Sequence, residues 1–280
     1  FHLVTLGCPK NEVDSEKLAG TLVADGMVPT DRVEDAELIV VNTCAFIEDA
    51  RRESIDTVLA LTENRQAGTR IVVTGCLAER YGTDLADELP EVDQVAGFGV
   101  PITLGKARSN GAPLPAMDLL NLPRPASSRP WAYVKVAEGC DRACGYCAIP
   151  SFRGPQRSRQ EDVILAEVDA LQVREVVLVA QDLAAYGRDQ GVGAKAIVGL
   201  IDAVADRVDR VRLLYLYPSE VTDRLIDTVC DTGTPYFDLS LQHVSRPLLR
   251  RMRRWGDGDR FSALVDRIRL REPEATFRSN

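Results

Sequence analysis

The chain has 280 residues, and its 34 Lys and Arg against 42 Asp and Glu give a formal net charge of −8. Apolar residues make up 45% and charged residues 27% of the composition, which is ordinary for a globular protein. This acidic balance is not typical of a protein that coats duplex nucleic acid. The sequence contains neither a membrane-length apolar run nor a secretion signal, so we expect a cytoplasmic protein that does not enter a membrane.

The chain opens at Phe1 and closes at Asn280, just after an apparent strand, so we expect an excised piece of a longer protein.

The cysteines are odd in number and accompany no secretion signal, which favours reduced thiols over a disulfide framework. There are seven of them: Cys8, Cys44, Cys76, Cys140, Cys144, Cys147 and Cys230.

The amino-terminal part alternates short apolar runs with helical patterns. Residues 3–6, 38–41 and 71–73 predict buried strands, and each is followed by apolar residues at helical spacing. Continuous apolar strands separated by amphipathic helices are typical of a parallel sheet with both faces covered. The sequence therefore predicts a parallel-sheet βα domain over residues 1–108.

Prolines interrupt this alternation over residues 109–130 and indicate an interdomain linker. Beyond it, residues 131–280 again alternate strand patterns with helical ones. Parallel strands with helical crossovers close into a barrel, but a full eightfold barrel needs about 250 residues. We therefore predict an α/β protein whose second domain is a partial (β/α) barrel. Within it, Ser158 and Glu161 predict a capping box at the first helix.

The most specific local pattern is a C-x3-C-x2-C loop formed by Cys140, Cys144 and Cys147, the loop cysteines, directly after the first strand of the second domain. Loops at the carboxyl ends of strands carry the functional groups of βα architectures. A structural zinc site is one interpretation, but it needs four closed ligands, and both histidines are distant in sequence. Three thiolates on an iron–sulfur cluster leave one iron open to a small molecule, and the spacing favours this interpretation.

A second set of cysteines is dispersed along the first domain. Cys8, Cys44 and Cys76, the dispersed cysteines, each follow a predicted strand, and steps of 36 and 32 residues separate them. Because parallel strands end at one edge of a sheet, we expect these thiols to face one crevice. Cysteine is also common as a small apolar side chain in buried strands, and we interpret Cys230 in that way. The equivalent positions of the other three favour a second metal centre, again one ligand short of four.

Two motifs together carry a family resemblance that covers nearly the whole chain. The C-x3-C-x2-C loop, with Tyr146 before its last cysteine, resembles the radical S-adenosylmethionine (radical SAM) enzymes. The runs Leu6-Gly7-Cys8-Pro9-Lys10-Asn11, Asn42-Thr43-Cys44 and Thr74-Gly75-Cys76 resemble the amino-terminal domain of the methylthiotransferases. Within that family, the first run and residues 149–154 are similar to the branch that modifies a ribosomal protein. The tRNA-modifying branch typically carries Gln-Met-Asn after its first cysteine.

The resemblance implies an enzyme with two 4Fe–4S clusters. The loop cysteines would ligate a cluster whose open iron binds S-adenosylmethionine, and cleavage of that cofactor would give a radical. The radical would abstract hydrogen from the β-carbon of an aspartate in the twelfth small-subunit ribosomal protein. The dispersed cysteines would hold a second cluster that delivers the sulfur of a methylthio group. The resemblance further implies an electron donor such as flavodoxin or ferredoxin, and a carboxyl-terminal TRAM domain that is missing here.

Three further residues are candidates for binding S-adenosylmethionine. Gln181 ends the second strand of the barrel, where the superfamily often binds the amino group of the cofactor, and a strand-end turn is the alternative. Arg278, on the last strand, is a candidate for the cofactor carboxylate, with a surface arginine as the alternative. Tyr146 is a candidate for contact with the adenine, with simple loop packing as the alternative.

Two basic runs are candidates for recognising a partner. Arg153, Arg157 and Arg159 follow the loop cysteines and are placed to steer an acidic substrate or cofactor. The run from Arg250 to Trp255 is a candidate for contact with ribosomal RNA, although such a run more often forms a solvated helix face.

Three functions stay open at this point. The first is a ribosomal-protein methylthiotransferase, and the second is a tRNA adenosine 2-methylthiotransferase with the same chemistry. Pro9-Lys10 and the overall acidity weigh against the second. The third is a non-catalytic zinc-binding protein.

Overall fold

The structure of the chain is a computed structural model that describes residues 1–102, 118–193 and 195–279. The predicted linker, 109–130, falls partly on residues 103–117, which lie outside the described residues. None of the described helices is both long enough and apolar enough to cross a lipid bilayer.

The chain divides into two compact units. Unit 1 comprises Phe1–Pro125 together with Ser151–Arg153, and unit 2 comprises Ala126–Pro150 together with Gly154–Asn280. The short segment Ser151–Arg153 thus belongs to unit 1 although the residues on either side of it belong to unit 2. These units are defined by compactness, and the domain bounds 1–108 and 131–280 that the sequence suggests stay predictions.

Unit 1 is built on a parallel sheet whose strands follow one another in chain order. Its strands are β1 (His2–Thr5), β2 (Leu38–Thr43), β3 (Arg70–Gly75) and β4 (Gln94–Val95). They pair in the order β1-β2-β3-β4, and every pairing is parallel. Every residue of β2 is buried, as expected for a central strand covered on both faces. The predicted parallel sheet is therefore confirmed.

Helices cover both faces of this sheet. They are α1 (Pro9–Ala24), α2 (Glu48–Glu63) and α3 (Cys76–Glu88), with a short 3-10 helix at Val33–Asp35. Because side chains alternate along a strand, Val40 packs with Leu18 of α1, whereas Val41 packs with Val58 of α2. The sheet therefore separates two apolar cores.

Unit 2 contains a second parallel sheet. The strands are β5 (Trp131–Lys135), β6 (Ala137–Glu138), β7 (Arg157–Ser158), β8 (Glu175–Val179), β9 (Arg210–Leu216), β10 (Tyr236–Leu239) and β11 (Thr276–Ser279). Five of them pair in parallel in the order β11-β10-β9-β8-β5, and β6 and β7 form a short antiparallel pair. In the described part of the chain this sheet stays open between β5 and β11. The predicted partial barrel is therefore confirmed.

Helices alternate with these strands. They are α4 (Ile149–Arg153), α5 (Glu161–Leu171), α6 (Lys195–Ala205), α7 (Asp223–Asp231), α8 (Arg246–Arg251) and α9 (Gly258–Arg271), with short 3-10 helices at Leu183–Ala185 and Pro218–Glu220. Helices α5, α6, α7 and α9 bury a single large core, whereas α4 ends in unit 1. Leu178 and Phe237 lie at the centre of the core with Ile201 of α6. Cys230 of α7 is part of the same core, as predicted.

The predicted capping box at α5 is wrong. Gln160, not Ser158, precedes the helix, and no side chain caps it. Ser158 instead belongs to β7, where its hydroxyl donates to Asp189 Oδ1 at 2.6 Å and accepts from the Gly187 amide at 2.9 Å. Pairing with β6 holds Ser158 in a strand two residues before the N-cap position, so it cannot cap the helix.

Leu178→Ala is expected to lower the free energy of unfolding of unit 2 by about 2–5 kcal/mol, because it leaves a cavity in a fully buried core. Both tryptophans, Trp131 and Trp255, lie in unit 2, so their fluorescence during urea unfolding reports on this unit. Leu270→Ala is the matched control, since that leucine is 88% exposed. Its effect should stay within about 0.5 kcal/mol. Equal effects of the two substitutions would contradict this core.

Candidate functional site

The dispersed cysteines lie beyond the carboxyl ends of three strands of one parallel sheet. Cys8 immediately precedes α1, Cys44 follows β2, and Cys76 opens α3 directly after β3. Cys44 also lies against Gly7, where a Cβ would stand only 2.8 Å from Cys44 Cβ. None of the three thiols is in a disulfide. The fold thus brings all three to the same edge of the sheet, as the sequence predicts.

These thiols differ in how readily they lose a proton. Burial chiefly raises the pKa of Cys44 and of Cys76, and the charge of Cys8 raises both further. Burial also raises the pKa of Cys8, but Lys10, Arg153 and backbone amides at the start of α1 outweigh it, so the pKa of Cys8 is lowered. Helix amino termini favour anionic sulfur in this way. Cys8 is therefore the thiol of this set that deprotonates most readily.

A lattice of buried amides and hydroxyls holds the three strand ends together. The Asn11 side chain donates to the carbonyls of Leu6 and Thr43, each at 2.9 Å. The Asn42 side chain donates to the Asn11 carbonyl at 2.8 Å, and the Thr43 hydroxyl donates to the Thr74 carbonyl at 2.5 Å. These bonds connect the ends of β1, β2 and β3, so they fix the spacing of the cysteines that follow. Asn11 and Asn42 lie beside the cysteines in sequence, but no local pattern predicts this lattice.

Arg153 and its neighbours do not form the steering surface that the sequence suggested. The Arg153 side chain is 2% exposed, and its Nη1 lies 3.3 Å from Asp14 Oδ2 within unit 1. In unit 2, Arg159 is also buried and pairs with Glu167 at 2.6 Å. Arg157 alone of the three is exposed. The prediction is wrong because internal ion pairs engage two of its three members.

The loop cysteines lie between β6 and α4 and are anchored by backbone hydrogen bonds. The Cys140 amide donates to the Gly154 carbonyl at 3.1 Å, and the Gly145 amide donates to the Met252 carbonyl at 2.9 Å. Gly139 has a φ of +79°, and a Cβ there would stand 2.0 Å from the Pro155 carbonyl oxygen. A glycine at the entrance therefore lets the loop pass close to the segment that follows α4.

Donors reach two of the loop sulfurs. The Arg142 amide donates to Cys140 Sγ at 3.4 Å, and Arg254 Nη1 donates to Cys144 Sγ at 3.5 Å. Burial raises the pKa of Cys140 to about 11, and the charge of Asp182 contributes to this increase. The free thiol is therefore protonated near neutral pH, and a metal must displace the proton when it binds. Preplaced N–H donors suit sulfurs that become anionic in this way.

Arg142 fastens the cysteine loop to the carboxyl ends of two barrel strands. Its Nε donates to Asp182 Oδ2 at 2.5 Å just beyond β8, and its Nη2 donates to Glu220 Oε1 at 2.9 Å beyond β9. The guanidinium also stacks 3.9 Å from the centroid of the Tyr217 ring. The sequence shows an arginine within the loop and acids after two strands, but no local pattern predicts that they pair.

Buried acceptors beside this clamp match the ammonium group of an amino acid. Gln181 Nε2 donates to Glu138 Oε1 at 2.5 Å. Gln181 Oε1 and Asp182 Oδ1 are both buried, and neither has a hydrogen-bond partner among the described residues. An ammonium carries three donors and would satisfy such oxygens. This chemistry fits the amino group of S-adenosylmethionine at the position predicted for Gln181.

The other two predicted cofactor residues have different surroundings. Tyr146 is 44% exposed within the cysteine loop, so its ring is accessible. Arg278 on β11 lies 3.3 Å from Asp238 on the neighbouring strand β10, and the charge of Asp238 raises the pKa of its guanidinium. The roles of both residues stay predictions.

The donor set of each site consists of three thiols. No three His, Cys, Asp or Glu side chains within residues 1–102, 118–193 and 195–279 form a group that could hold one metal ion. A closed zinc site needs four ligands, whereas three thiolates on a 4Fe–4S cluster leave one iron open. Three thiols in each set therefore match the number of donors that such a cluster needs.

Two family profiles match the chain, one in each part. Residues 1–97 match the family described as uncharacterized protein family UPF0004, and residues 134–271 match the radical SAM superfamily. The second match runs from the end of β5 to the end of α9 and includes the loop cysteines. Use of S-adenosylmethionine and of an iron–sulfur cluster is therefore a property of the superfamily to which the second part of the chain belongs.

Solved structures show the same fold. The cobalamin-dependent S-adenosylmethionine radical enzyme OxsB aligns with a TM-score of 0.60 over 99% of this chain and 48% of its own, at 10% identity. The radical S-adenosylmethionine methyltransferase TsrM from Kitasatospora setae aligns with a TM-score of 0.53 over 99% of this chain and 66% of its own, at 16% identity. At such low identity the likeness concerns the fold alone.

Comparison with curated relatives shows to which family within the radical SAM superfamily the chain belongs. Proteins named ribosomal protein uS12 methylthiotransferase RimO from Kineococcus radiotolerans and Sorangium cellulosum are each 42% identical to this chain over 99% of its residues. The chain covers 67% of the first relative's length and 62% of the second's. The resemblance to the branch that modifies a ribosomal protein is therefore confirmed, and the chain belongs to the RimO family of radical SAM methylthiotransferases.

Proposed function

We propose that this chain carries the catalytic units of an enzyme that adds a methylthio group to the β-carbon of an aspartate in ribosomal protein uS12. The supporting observation is the joint presence of two cysteine sets, each at the carboxyl edge of its own parallel sheet, in a chain of the RimO family. A radical SAM enzyme that transfers no sulfur would need only the loop cysteines of unit 2. A second sulfur-rich site in unit 1 is what a sulfur-transferring enzyme additionally requires.

The two sets of thiols have separate roles in this proposal. Cys140, Cys144 and Cys147 hold one 4Fe–4S cluster, and Cys8, Cys44 and Cys76 hold a second. When bound, the first cluster and S-adenosylmethionine supply the one-electron chemistry that activates an unreactive C–H bond, and the second cluster supplies sulfur. No protein side chain can remove hydrogen from such a carbon by acid–base chemistry, so the chain contributes position and shelter from solvent.

Residues around the loop cysteines orient the cofactor. Arg142 keeps the loop against the ends of β8 and β9 through Asp182 and Glu220. Gln181 Oε1 and Asp182 Oδ1 accept from the ammonium group of S-adenosylmethionine, Arg278 pairs with its carboxylate, and Tyr146 contacts the adenine. The buried, partnerless oxygens of the first two residues support their part of this assignment.

Two partners follow from the proposed chemistry. A small redox protein such as flavodoxin or ferredoxin supplies the electron. Ribosomal RNA contacts the exposed side chains of Arg250, Arg251 and Arg253 together with Trp255, which is 37% exposed. Arg254 does not take part, because it stacks 4.4 Å from the Tyr217 ring centroid and reaches Cys144.

Replacing all three loop cysteines with alanine is expected to abolish cleavage of S-adenosylmethionine, because the cluster that delivers the electron to this cofactor is lost. Replacing all three dispersed cysteines should leave cleavage intact and stop methylthio transfer. Release of 5′-deoxyadenosine and the mass of uS12 measure the two steps. Cys230→Ala is the matched control and should retain both, since that thiol only packs in the core of unit 2. Loss of cleavage in a folded variant of the dispersed set would contradict the division of roles.

The full-length protein is expected to modify uS12 and not tRNA. Anaerobic incubation with each substrate, followed by mass spectrometry of the protein and of the digested RNA, distinguishes the two. A mass gain confined to tRNA would overturn the assignment of substrate. Purified protein that contains zinc without iron or sulfide would overturn the catalytic proposal as a whole.

Gln181→Ala is expected to weaken binding of S-adenosylmethionine about tenfold, because one hydrogen bond to a charged group is lost at a cost of about 1.4 kcal/mol. Equilibrium dialysis against the anaerobically reconstituted full-length protein measures the dissociation constant. Gln66→Ala, an exposed glutamine of unit 1, is the control and should bind normally. Unchanged affinity in a Gln181 variant with its full iron content would remove this residue from the site.

A further inference from the structure

The segment Ser151–Arg153 places a buried arginine among the dispersed cysteines of unit 1. Arg153 follows the last loop cysteine by six residues and ends α4, yet it belongs to unit 1. Its side chain is 2% exposed, and that of its ion-pair partner Asp14 is 1% exposed. A guanidinium buried to this degree is costly unless several acceptors surround it.

The acceptors around Arg153 include a cysteine sulfur. Nη2 donates to Cys76 Sγ at 3.0 Å and to Asn11 Oδ1 at 2.9 Å. Nη1 donates to Asp14 Oδ2 at 3.3 Å. The guanidinium carbon stacks 4.4 Å from the centroid of the Phe98 ring. Arg153 is therefore oriented from several sides, and one N–H is aimed at a sulfur.

The same acceptors belong to the lattice that positions the cysteines. Asn11 Oδ1 accepts from Arg153 and also from the Cys76 thiol at 3.5 Å, while its amide nitrogen connects the ends of β1 and β2. The Phe98 amide donates to Glu79 Oε2 on α3 at 2.7 Å, which fixes the ring beneath the guanidinium. The position of Arg153 is thus tied to the backbone that carries Cys76.

The positive charge of Arg153 lies directly beside one of the dispersed sulfurs, because Nη2 stands 3.0 Å from Cys76 Sγ in a buried environment. Positive charge and N–H donors directed at cluster sulfurs stabilise the reduced, more negative state of an iron–sulfur cluster. The residue is therefore suited to control the electronic properties of whatever cluster these thiols hold.

We propose that Arg153 is a positioning residue that donates to Cys76 Sγ and raises the reduction potential of the cluster held by the dispersed cysteines, with Asp14 opposing its charge. This inference rests on the proposed second cluster. It assigns to the end of α4 a role in unit 1, although the loop that precedes α4 serves unit 2. A planar guanidinium is required, because its several N–H groups donate at once to Cys76 Sγ, Asn11 Oδ1 and Asp14 Oδ2. A lysine ammonium is a point charge without this fixed arrangement of donors.

The test uses the full-length protein in which Cys140, Cys144 and Cys147 are all alanine, so that a single cluster gives the signal. Its midpoint potential is measured by an anaerobic redox titration followed by electron paramagnetic resonance, with iron and sulfide determined on the same samples. In this background Arg153→Met is expected to shift the midpoint to a more negative potential. Arg153→Lys should give a smaller shift in the same direction, and Asp14→Asn a shift to a more positive potential.

Arg65→Met is the matched control, because it removes another arginine of unit 1 that pairs with an aspartate, Asp93, at 2.9 Å. Its midpoint should equal that of the background protein. An unchanged midpoint potential in Arg153→Met with full iron content would overturn the inference about Arg153. It would not contradict the presence of the second cluster. Equal shifts in Arg65→Met and Arg153→Met would also overturn it.

Two further outcomes decide the question if the Arg153→Met variant does not fold or does not take up iron. Shifts of opposite sign in Arg153→Lys and Asp14→Asn support the inference, and unmoved midpoints in both overturn it. A background protein that takes up no iron, although Cys8, Cys44 and Cys76 are intact, would refute the second cluster itself. That result would refute the proposed function at this site and the inference with it.

Discussion

Parallel strand pairing is the constraint on which both cysteine sets depend. All strands of a parallel sheet end in the same direction, so residues that are distant in sequence arrive at one edge. Cys8, Cys44 and Cys76 meet at such an edge in unit 1. The loop cysteines use the same property of a second sheet, because the groups that clamp their loop stand at the ends of β8 and β9.

Arginines stabilise both sites by similar means, a buried Arg153 in unit 1 and a half-buried Arg254 in unit 2. Arg153 donates to Cys76 in unit 1, and Arg254 donates to Cys144 in unit 2. Each guanidinium also stacks on an aromatic ring, Phe98 or Tyr217. A thiol becomes anionic when it binds a metal, so donors that are already in place reduce the reorganisation that binding requires. The surrounding protein therefore supplies charge compensation that cysteine spacing alone does not reveal.

Family membership and geometry support the function in different ways. The relatives identify the chemistry, since proteins 42% identical over nearly the whole chain are named uS12 methylthiotransferases. The geometry supports the proposed roles of residues, since each set of thiols follows the ends of parallel strands and the buried, unpartnered oxygens of Gln181 and Asp182 suit a cofactor ammonium. Neither alone leads to the proposal that unit 1 holds a second cluster whose potential Arg153 adjusts.

The sequence by itself determined the α/β class, the parallel sheets, the partial barrel and the placement of Cys8, Cys44 and Cys76 at the ends of parallel strands, because these follow from local periodicity and from the geometry of parallel pairing. The clamp at Arg142, the amide lattice around Asn11 and the burial of Arg153 were decided only by the tertiary structure. Each depends on partners more than 30 residues away, such as Asp182 and Thr43, and no local pattern encodes such pairings. For the same reason Ser158 carried a capping pattern but paired in a strand instead, since long-range pairing of β6 with β7 overrides a local helix signal.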